Sequence, residues 1–381
     1  MLQAFLEEKP LYYNEIDYTR MPRVYQKIKS NFSSAKIIHL IGTNGKGTTG
    51  RFLATALFNM GYKTAHYTSP HIIDFNERVW LNGANTSYET LEIAHEKLQN
   101  ILTEEDSHSL SYFEYTTFLA MLVFNGCEYI VLEAGLGGEH DATAVFDKIL
   151  TLVTPIDYDH EAFLGSGIED IARTKLNAIQ NSAIIATQKH KEVYTIAKEL
   201  SAIKKVSIHK VDEYLDNEDI KNVEQLSEEL SLVSYLQDNL KLSISCLKFL
   251  DLKYKVENFS NSKLFGRVSK ISNNIVVDVG HNPLAAESIV NALKDKKYIL
   301  VYNTYKDKEY KKTLQILKPI IRHVEIIDIN EQRIETKELL YRTLKELEIE
   351  YVSFNKCEKN NNYLVFGSFS VVEAFLGRYN E

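Results

Sequence analysis

IIHLIGTNGKGTT, Ile37 to Thr49, carries an apolar strand into a glycine-rich turn that holds a lysine and two threonines and then opens a helix. Gly42, Gly45 and Gly47 let the backbone curl so that several N–H groups face one anion, and the positive dipole end of the next helix, read over Thr48 to Asn59, points the same way. Lys46 adds a mobile charge for the outer phosphates of a nucleotide, and a threonine hydroxyl can reach a magnesium ion. The loop is shorter than the usual pattern of two glycines five apart, and Gly47 separates Lys46 from Thr48. A strand before it and a helix after it make it a phosphate-binding loop all the same.

Working outward, 381 residues are long for one core, and about 150 residues per domain suggests two or three domains. A formal net charge of -8 argues against broad electrostatic binding of nucleic acid. Three cysteines, Cys127, Cys246 and Cys357, stand far apart and fit reduced thiols better than disulfides or a zinc cluster. The first twenty residues, MLQAFLEEKPLYYNEIDYTR, place acids near the start and lack the apolar core of a secretion signal. No apolar run approaches the roughly 18 residues of a membrane span. These features together point to a soluble cytoplasmic protein.

Short Ile- and Val-rich runs alternate with segments of helical period, the pattern of a parallel sheet covered by helices, so the fold class is α/β. Strands are expected over Lys36 to Ile41, Lys63 to Tyr67, Tyr129 to Glu133, Ile149 to Val153 and Ala183 to Thr187. A second set covers Ile275 to Val279, Tyr298 to Tyr302, Val324 to Ile327 and Tyr363 to Phe366. Between them, Lys189 to Leu252 reads as mainly helical, and the turn-rich ENFSNS, Glu257 to Ser262, places a domain boundary near Ser260. Residues 1–260 and 261–381 are the expected domains.

Ligands in such sheets gather at the carboxyl ends of the strands, and the polar candidates stand there. TSPHIIDFNERVWLNG follows the second strand and offers Ser69 and His71, although a Ser-Pro turn alone would explain them. A very apolar strand ends in Glu133, a carboxylate suited to magnesium, before the loop AGLGGEHDAT. TPIDYDHEAFLG crowds Asp157, Asp159 and His160 into the next strand end, where a neutral imidazole can complete a metal shell; a surface acidic turn is the plainer reading. Lys175 lies on an expected helix, where a lysine is ordinarily solvated. In the second half, Asp278 ends a strand before Gly280, His281, Asn282 and a helix opened by Pro283, and Arg267 precedes it in LFGRVSKI. An aspartate so placed can accept from ribose hydroxyls, and an arginine can grip phosphate in bidentate fashion.

In order, GTNGKGT, TSPHIIDFNERVWLNG, SYFEYTTFLA, LEAGLGGEHDAT, DYDHEAFLG, DVGHNP and GSFSVVEAF resemble the folylpolyglutamate synthase and dihydrofolate synthase family of the Mur ligase superfamily. The resemblance implies a P-loop, ATPase-like N-terminal domain joined to a smaller Rossmann-like C-terminal domain. It implies that ATP phosphorylates a pterin-linked carboxylate and that L-glutamate displaces phosphate from the acyl phosphate to form an amide. By the same resemblance Asn44, Gly45, Lys46, Gly47 and Thr48 bind the ATP phosphates, joined by Asn239, Arg267 and Asp278 for the nucleotide. Ser69, Glu133 and His160 match magnesium positions, with Lys46, His160 and Lys175 in the catalytic machinery. Lys175 matches a lysine that this family carbamylates. The pterin or folate acceptor would be lined by Phe113, Glu114, Tyr115, Thr116, His140, Asp141 and Ala142. The pattern departs where Glu139 and His140 replace an arginine and a leucine before the DAT, and where Ala144 replaces an asparagine.

The resemblance therefore implies an ATP- and Mg2+-dependent ligase, with a monovalent cation as a further option, acting as a monomer on small molecules, without nucleic acid or membrane. A sister ligase acting on a UDP-linked cell-wall precursor is the nearest alternative, disfavoured by the SPH segment and DYDHEAFLG. A P-loop regulatory module is the alternative from another class.

Overall fold

A computed structural model describes residues 1–10 and 17–379; the part of the N-terminal stretch covering residues 11–16 lies outside the described residues. The chain divides into two compact units, Met1–Leu232 with Leu236–Ser262, and Val233–Tyr235 with Lys263–Glu381.

The first unit is built on an eight-stranded sheet of β1 (Lys36–Ile41), β2 (Thr64–Tyr67), β3 (Val79–Leu81), β4 (Ala84–Asn85), β5 (Tyr129–Glu133), β6 (Leu150–Val153), β7 (Ser182–Ile185) and β8 (Ser207–Lys210). Its spatial order is β4-β3-β2-β5-β1-β6-β7-β8. From β2 to β8 every neighbouring pair is parallel, and β3 and β4 add an antiparallel edge. The strand β1 has both faces covered, which is why it reads as a continuous apolar run, with Ile38, Leu40 and Ile41 fully buried. Helices Tyr88–Ile101 and Tyr112–Val123 pack with the Arg20–Ile28 helix around one cluster, which includes Val24, Leu91, Leu98, Phe118 and Leu119. Helices Ile168–Leu176 and Lys191–Lys204 close another around Val153, Ile171 and Ile185.

In the second unit β9 (Ser269–Ser272), β10 (Ile275–Val277), β11 (Tyr298–Tyr302), β12 (Ile321–Ile326), β13 (Tyr351–Ser353) and β14 (Tyr363–Phe366) form a sheet ordered β13-β12-β11-β14-β10-β9. All pairs are parallel except β9 with β10. Its core gathers Leu300, Val324, Leu344, Leu364 and Phe366.

The buried central strands fall where the apolar runs place them, within two or three residues at the ends. Five strands are additional: β3, β4, β8, β9 and β13. They lie at or next to sheet edges, and β8 reads SIHK with only intermediate burial inside a stretch expected to be helical. An edge strand needs no continuous apolar run, so its signal in sequence is weak.

Candidate active site

Register sets the site. Leu40 pairs with Glu133 on β5 and with Leu152 on β6, and Tyr67 on β2 pairs with Leu132. The carboxyl ends of β2, β5, β1 and β6, four adjacent parallel strands, therefore open together, and each carries one of the expected segments.

The phosphate loop spans the turn between β1 and the Lys46–Asn59 helix, which begins two residues earlier than its sequence pattern indicates. Gly42 has φ +137° and Gly45 φ +91°, conformations that suit glycine, and a methyl group on Gly45 would strike the Asn239 carboxamide. Thr43 Oγ1 donates to the Asp157 carbonyl at 3.0 Å and accepts from the Asp157 N–H at 3.1 Å, while Thr43 N–H donates to Pro155 O at 2.9 Å. The loop is thus stitched to the turn after β6. Lys46 Nζ donates to the carbonyls of Gly42 and Thr43, both at 3.2 Å. Lys175, on the Ile168–Leu176 helix, is not solvated: it is 4% exposed and donates to Gly42 O at 3.0 Å. Burial, with the Lys46 charge adding to it, pushes its amine down to about 7.

Among the described residues three side-chain atoms at this loop are left over: Thr48 Oγ1, Thr49 Oγ1 and Asn239 Nδ2 are buried without a hydrogen-bond partner. Such orphans are unfavourable unless something pairs them, and these stand at the phosphate loop, where a ligand could do so. Asn239 is carried by the Ser234–Phe249 helix, which is fastened to the phosphate-loop helix by Ser243 Oγ donating to Thr49 O at 2.9 Å.

Glu133 is 4% exposed at the end of β5. Its Oε2 accepts from Thr68 Oγ1, a partner that the sequence pattern did not single out, and from Ser69 N–H at 3.3 Å. His160 takes a left-handed conformation, φ 55°, at the start of the Glu161–Leu164 helix, its Nε2 3.8 Å from Asp159. The structure thus joins Ser69 to Glu133 and sets His160 past the next-but-one strand. Among the described residues no three His, Cys, Asp or Glu side chains converge as a metal cluster. Thr48 Oγ1 is unused by the protein; hydroxyl and carboxylate oxygens of this kind are the donors a hard cation takes.

The residues expected to line the acceptor divide into two groups. Phe113 lies at the start of the Tyr112–Val123 helix with its ring against Gly135, where a Cβ would come within 2.7 Å. Glu114 instead closes a capping box with Ser111 and pairs with Arg20 at 2.9 Å. Tyr115 is fully buried, its hydroxyl 2.7 Å from His95 Nδ1, and Thr116 Oγ1 meets the Tyr67 hydroxyl at 2.9 Å. These three hold the helix in place. His140 is half exposed with its ring 4.2 Å from that of Tyr18, and Ala142 is buried behind it in a short turn of helix capped by Asp141.

In the second unit Asp278 follows β10, buried at 3% exposure. Its Oδ2 accepts from Val268 N–H at 2.9 Å and from the Tyr235 hydroxyl at 3.0 Å, and its Oδ1 accepts from Gly280 N–H at 2.8 Å. Burial raises its carboxyl, and Arg267 and these donors pull the other way. Arg267 donates to Gly266 O at 3.0 Å with its guanidinium 5.3 Å from the Phe369 ring centre. Asn282 caps the Pro283–Leu293 helix by accepting from Ala285 N–H at 2.9 Å, and His281 Nδ1 is 3.2 Å from Val279 O. Tyr235 had no signal in sequence, because its partner lies 43 residues away.

The first unit thus carries a phosphate loop beside a buried strand-end carboxylate, and the second adds a mostly parallel sheet. No protein-family model matches the chain. It is 31% identical to the dihydrofolate synthase/folylpolyglutamate synthase of Buchnera aphidicola from Acyrthosiphon pisum, over 97% of this chain and 95% of that one. Among solved structures it is similar to the folylpolyglutamate synthetase of Helicobacter pylori, with 40% identity, a TM-score of 0.80, and 100% and 98% of the two chains covered. It is also similar to the E. coli protein in complex with DHPP and ADP, at 25% identity and a TM-score of 0.83 over 99% and 96%. The chain belongs to the dihydrofolate synthase/folylpolyglutamate synthase family.

Proposed function

We propose that this chain adds L-glutamate both to dihydropteroate and to reduced folates at one acceptor site, with ATP and a divalent cation. The observation that carries the reading is the phosphate loop bearing Lys46 and the unpartnered Thr48, beside Glu133, in a chain related to such enzymes along nearly its whole length. A carboxylate is a poor acyl donor, and transfer of the γ-phosphoryl group onto it makes a leaving group that the amine of glutamate can displace. Gly45, Gly47 and the amides around Asn44 supply N–H donors to the phosphates, and Lys46, on a flexible stem, turns from its carbonyl contacts to the transferred group. Thr48, Ser69, Glu133 and His160 would hold the cation, which supplies charge neutralisation on the phosphate oxygens. Asn239, Arg267 and Asp278 are assigned to the nucleotide, and Phe113 and the Gly135 to Ala142 loop to the pterin.

Lys175 is assigned as carbamylated. An amine lowered to about 7 is neutral in a substantial share of molecules near neutral pH, and only the neutral amine attacks carbon dioxide. Intact mass of the protein with and without bicarbonate, together with the loss of activity in carbonate-free buffer, tests it. We further assign a monomer working in the cytoplasm; among the described residues no helix is long and apolar enough to cross a membrane.

The deciding experiment is phosphate release with ATP, magnesium and glutamate, each acceptor supplied separately, with the amide identified by mass. Turnover with both acceptors and mutual competition supports the proposal. Turnover with a UDP-linked precursor alone, or ATP binding with no amide product, overturns it.

A further inference from the structure

A buried polar chain in the first unit begins at a residue to which the mechanism gives no task. His39 lies in the middle of β1, fully buried on the strand that carries the phosphate loop. Its Nε2 is 2.8 Å from Thr143 Oγ1, which is itself fully buried and 2.5 Å from Asp141 Oδ1. Asp141 accepts three more bonds: Thr143 N–H to Oδ1 at 2.9 Å, and Gly135 N–H and Leu136 N–H to Oδ2 at 2.9 and 3.0 Å.

The donor directions follow from chemistry. A carboxylate so surrounded can only accept, so the Thr143 hydroxyl donates its hydrogen to Asp141 and must accept from His39. That fixes His39 as the neutral tautomer protonated on Nε2. Its Nδ1 is then bare, and Nδ1 is indeed a buried atom without a partner. Burial, with the Lys148 charge beside it, holds the ring well below its usual range and so uncharged. The two oxygens of Asp141 have about four lone-pair directions, and four donors take them.

We infer that His39, Thr143 and Asp141 form a positioning chain that sets the Gly135–Leu136 turn, and through it the place of the Phe113 ring, for acceptor recognition. Asp141 therefore acts on the acceptor through the loop it holds rather than by touching the pterin with a free oxygen. The geometry is directional: the chain starts on β1 and ends on two amides that begin two residues after Glu133, and Phe113 rests on the first of them. His39 and Thr143 are positioning residues and contact no substrate. The inference rests on the proposed acceptor site, and the chain leaves the phosphate loop's own amides untouched.

Thr143→Val keeps the volume and removes both the donor to Asp141 and the acceptor for His39. Calorimetric binding of dihydropteroate, and KM for dihydropteroate and for ATP, are measured for wild type, Thr143→Val, Thr143→Ser, His39→Leu and His39→Gln. Wild-type turnover with dihydropteroate is the control; its absence sinks the acceptor reading and leaves the chain without a task. Thr143→Val and His39→Leu are expected to raise the dihydropteroate Kd and KM about tenfold, as losing one hydrogen bond to a charged group does, with the ATP KM within about twofold. Thr143→Ser and His39→Gln each retain the needed donor and are expected to restore wild-type values. Unchanged acceptor binding in Thr143→Val overturns the inference, and so does an equal rise in both KM values. If Thr143→Val does not fold, the contrast of His39→Leu with His39→Gln decides in the same way.

Discussion

Two strand-to-helix turns, one in each unit, make an instructive pair. In the first unit β1 passes through Gly42 to Gly45 into the Lys46–Asn59 helix; in the second β10 passes through Asp278, Val279 and Gly280 toward the Pro283–Leu293 helix. The second turn spends its polar groups on itself, with Asp278 taken by Val268, Tyr235 and Gly280 and Asn282 by its own helix. The first turn does not. Its lysine folds onto loop carbonyls, and Thr48 Oγ1 and Asn239 Nδ2 have no partner in a buried setting. A turn that satisfies its own polar groups is stable without a partner molecule, whereas buried donors and acceptors left unused remain costly until something pairs them.

That contrast can be broken by substitution. The largest effect is expected for Lys46→Ala: phosphate release should fall on the order of a thousandfold, since the charge proposed to serve the transferred group is lost, with melting temperature unchanged. A wild-type rate would remove the first turn from the chemistry. Next, Glu133→Ala should raise the magnesium concentration for half-maximal rate by at least about tenfold, read from a magnesium titration. In the second unit Asp278→Asn sets an amide against one of three donors and should cost about 1–3 kcal/mol in denaturant unfolding. A rise in the ATP KM beside that cost supports the assignment of Asp278 to the nucleotide, and an unchanged ATP KM removes it.

Smaller again is Gly45→Ala, which forces a left-handed residue against Asn239 and should cost about 1–2 kcal/mol, with a rise in ATP KM alongside. The last effect concerns pH and the free amine of Lys175, in protein kept free of carbonate so that the residue is not carbamylated. Its folded value is about 7 against 10.5 for the free amine, so between those values the unfolded chain holds a proton that the folded chain has shed. Stability contributed by this residue therefore rises with pH across that window, and Lys175→Met should flatten the rise in urea midpoints. A slope unaltered by the substitution would show that Lys175 is not the group responsible.

Much of this was legible in the chain itself. The central strands β1, β5, β11 and β14 were read with their observed bounds, because strands buried on both faces are mostly apolar. The glycine positions were legible because few other residues take their backbone angles. Edge strands such as β8 were not, since they bury little. Lys175 looked like a solvated helical lysine until the Ile168–Leu176 helix turned it under the phosphate loop. The pairings of Glu114 with Arg20 and of Tyr115 with His95 were not legible either, since each joins residues far apart in the chain.

Sequence alone determined the alternation of strand and helix, the phosphate loop and the family resemblance, since these depend on local periodicity, backbone freedom and ordered motifs. Tertiary structure alone decided which polar atoms are satisfied. Hydrogen bonds between residues as far apart as Gly42 and Lys175, or His39 and Thr143, depend on strand register and helix packing. Whether a buried carboxylate, amine or hydroxyl is spent on the fold or kept for a ligand follows from those long-range pairings, because burial makes an unpaired polar group costly and a paired one inert.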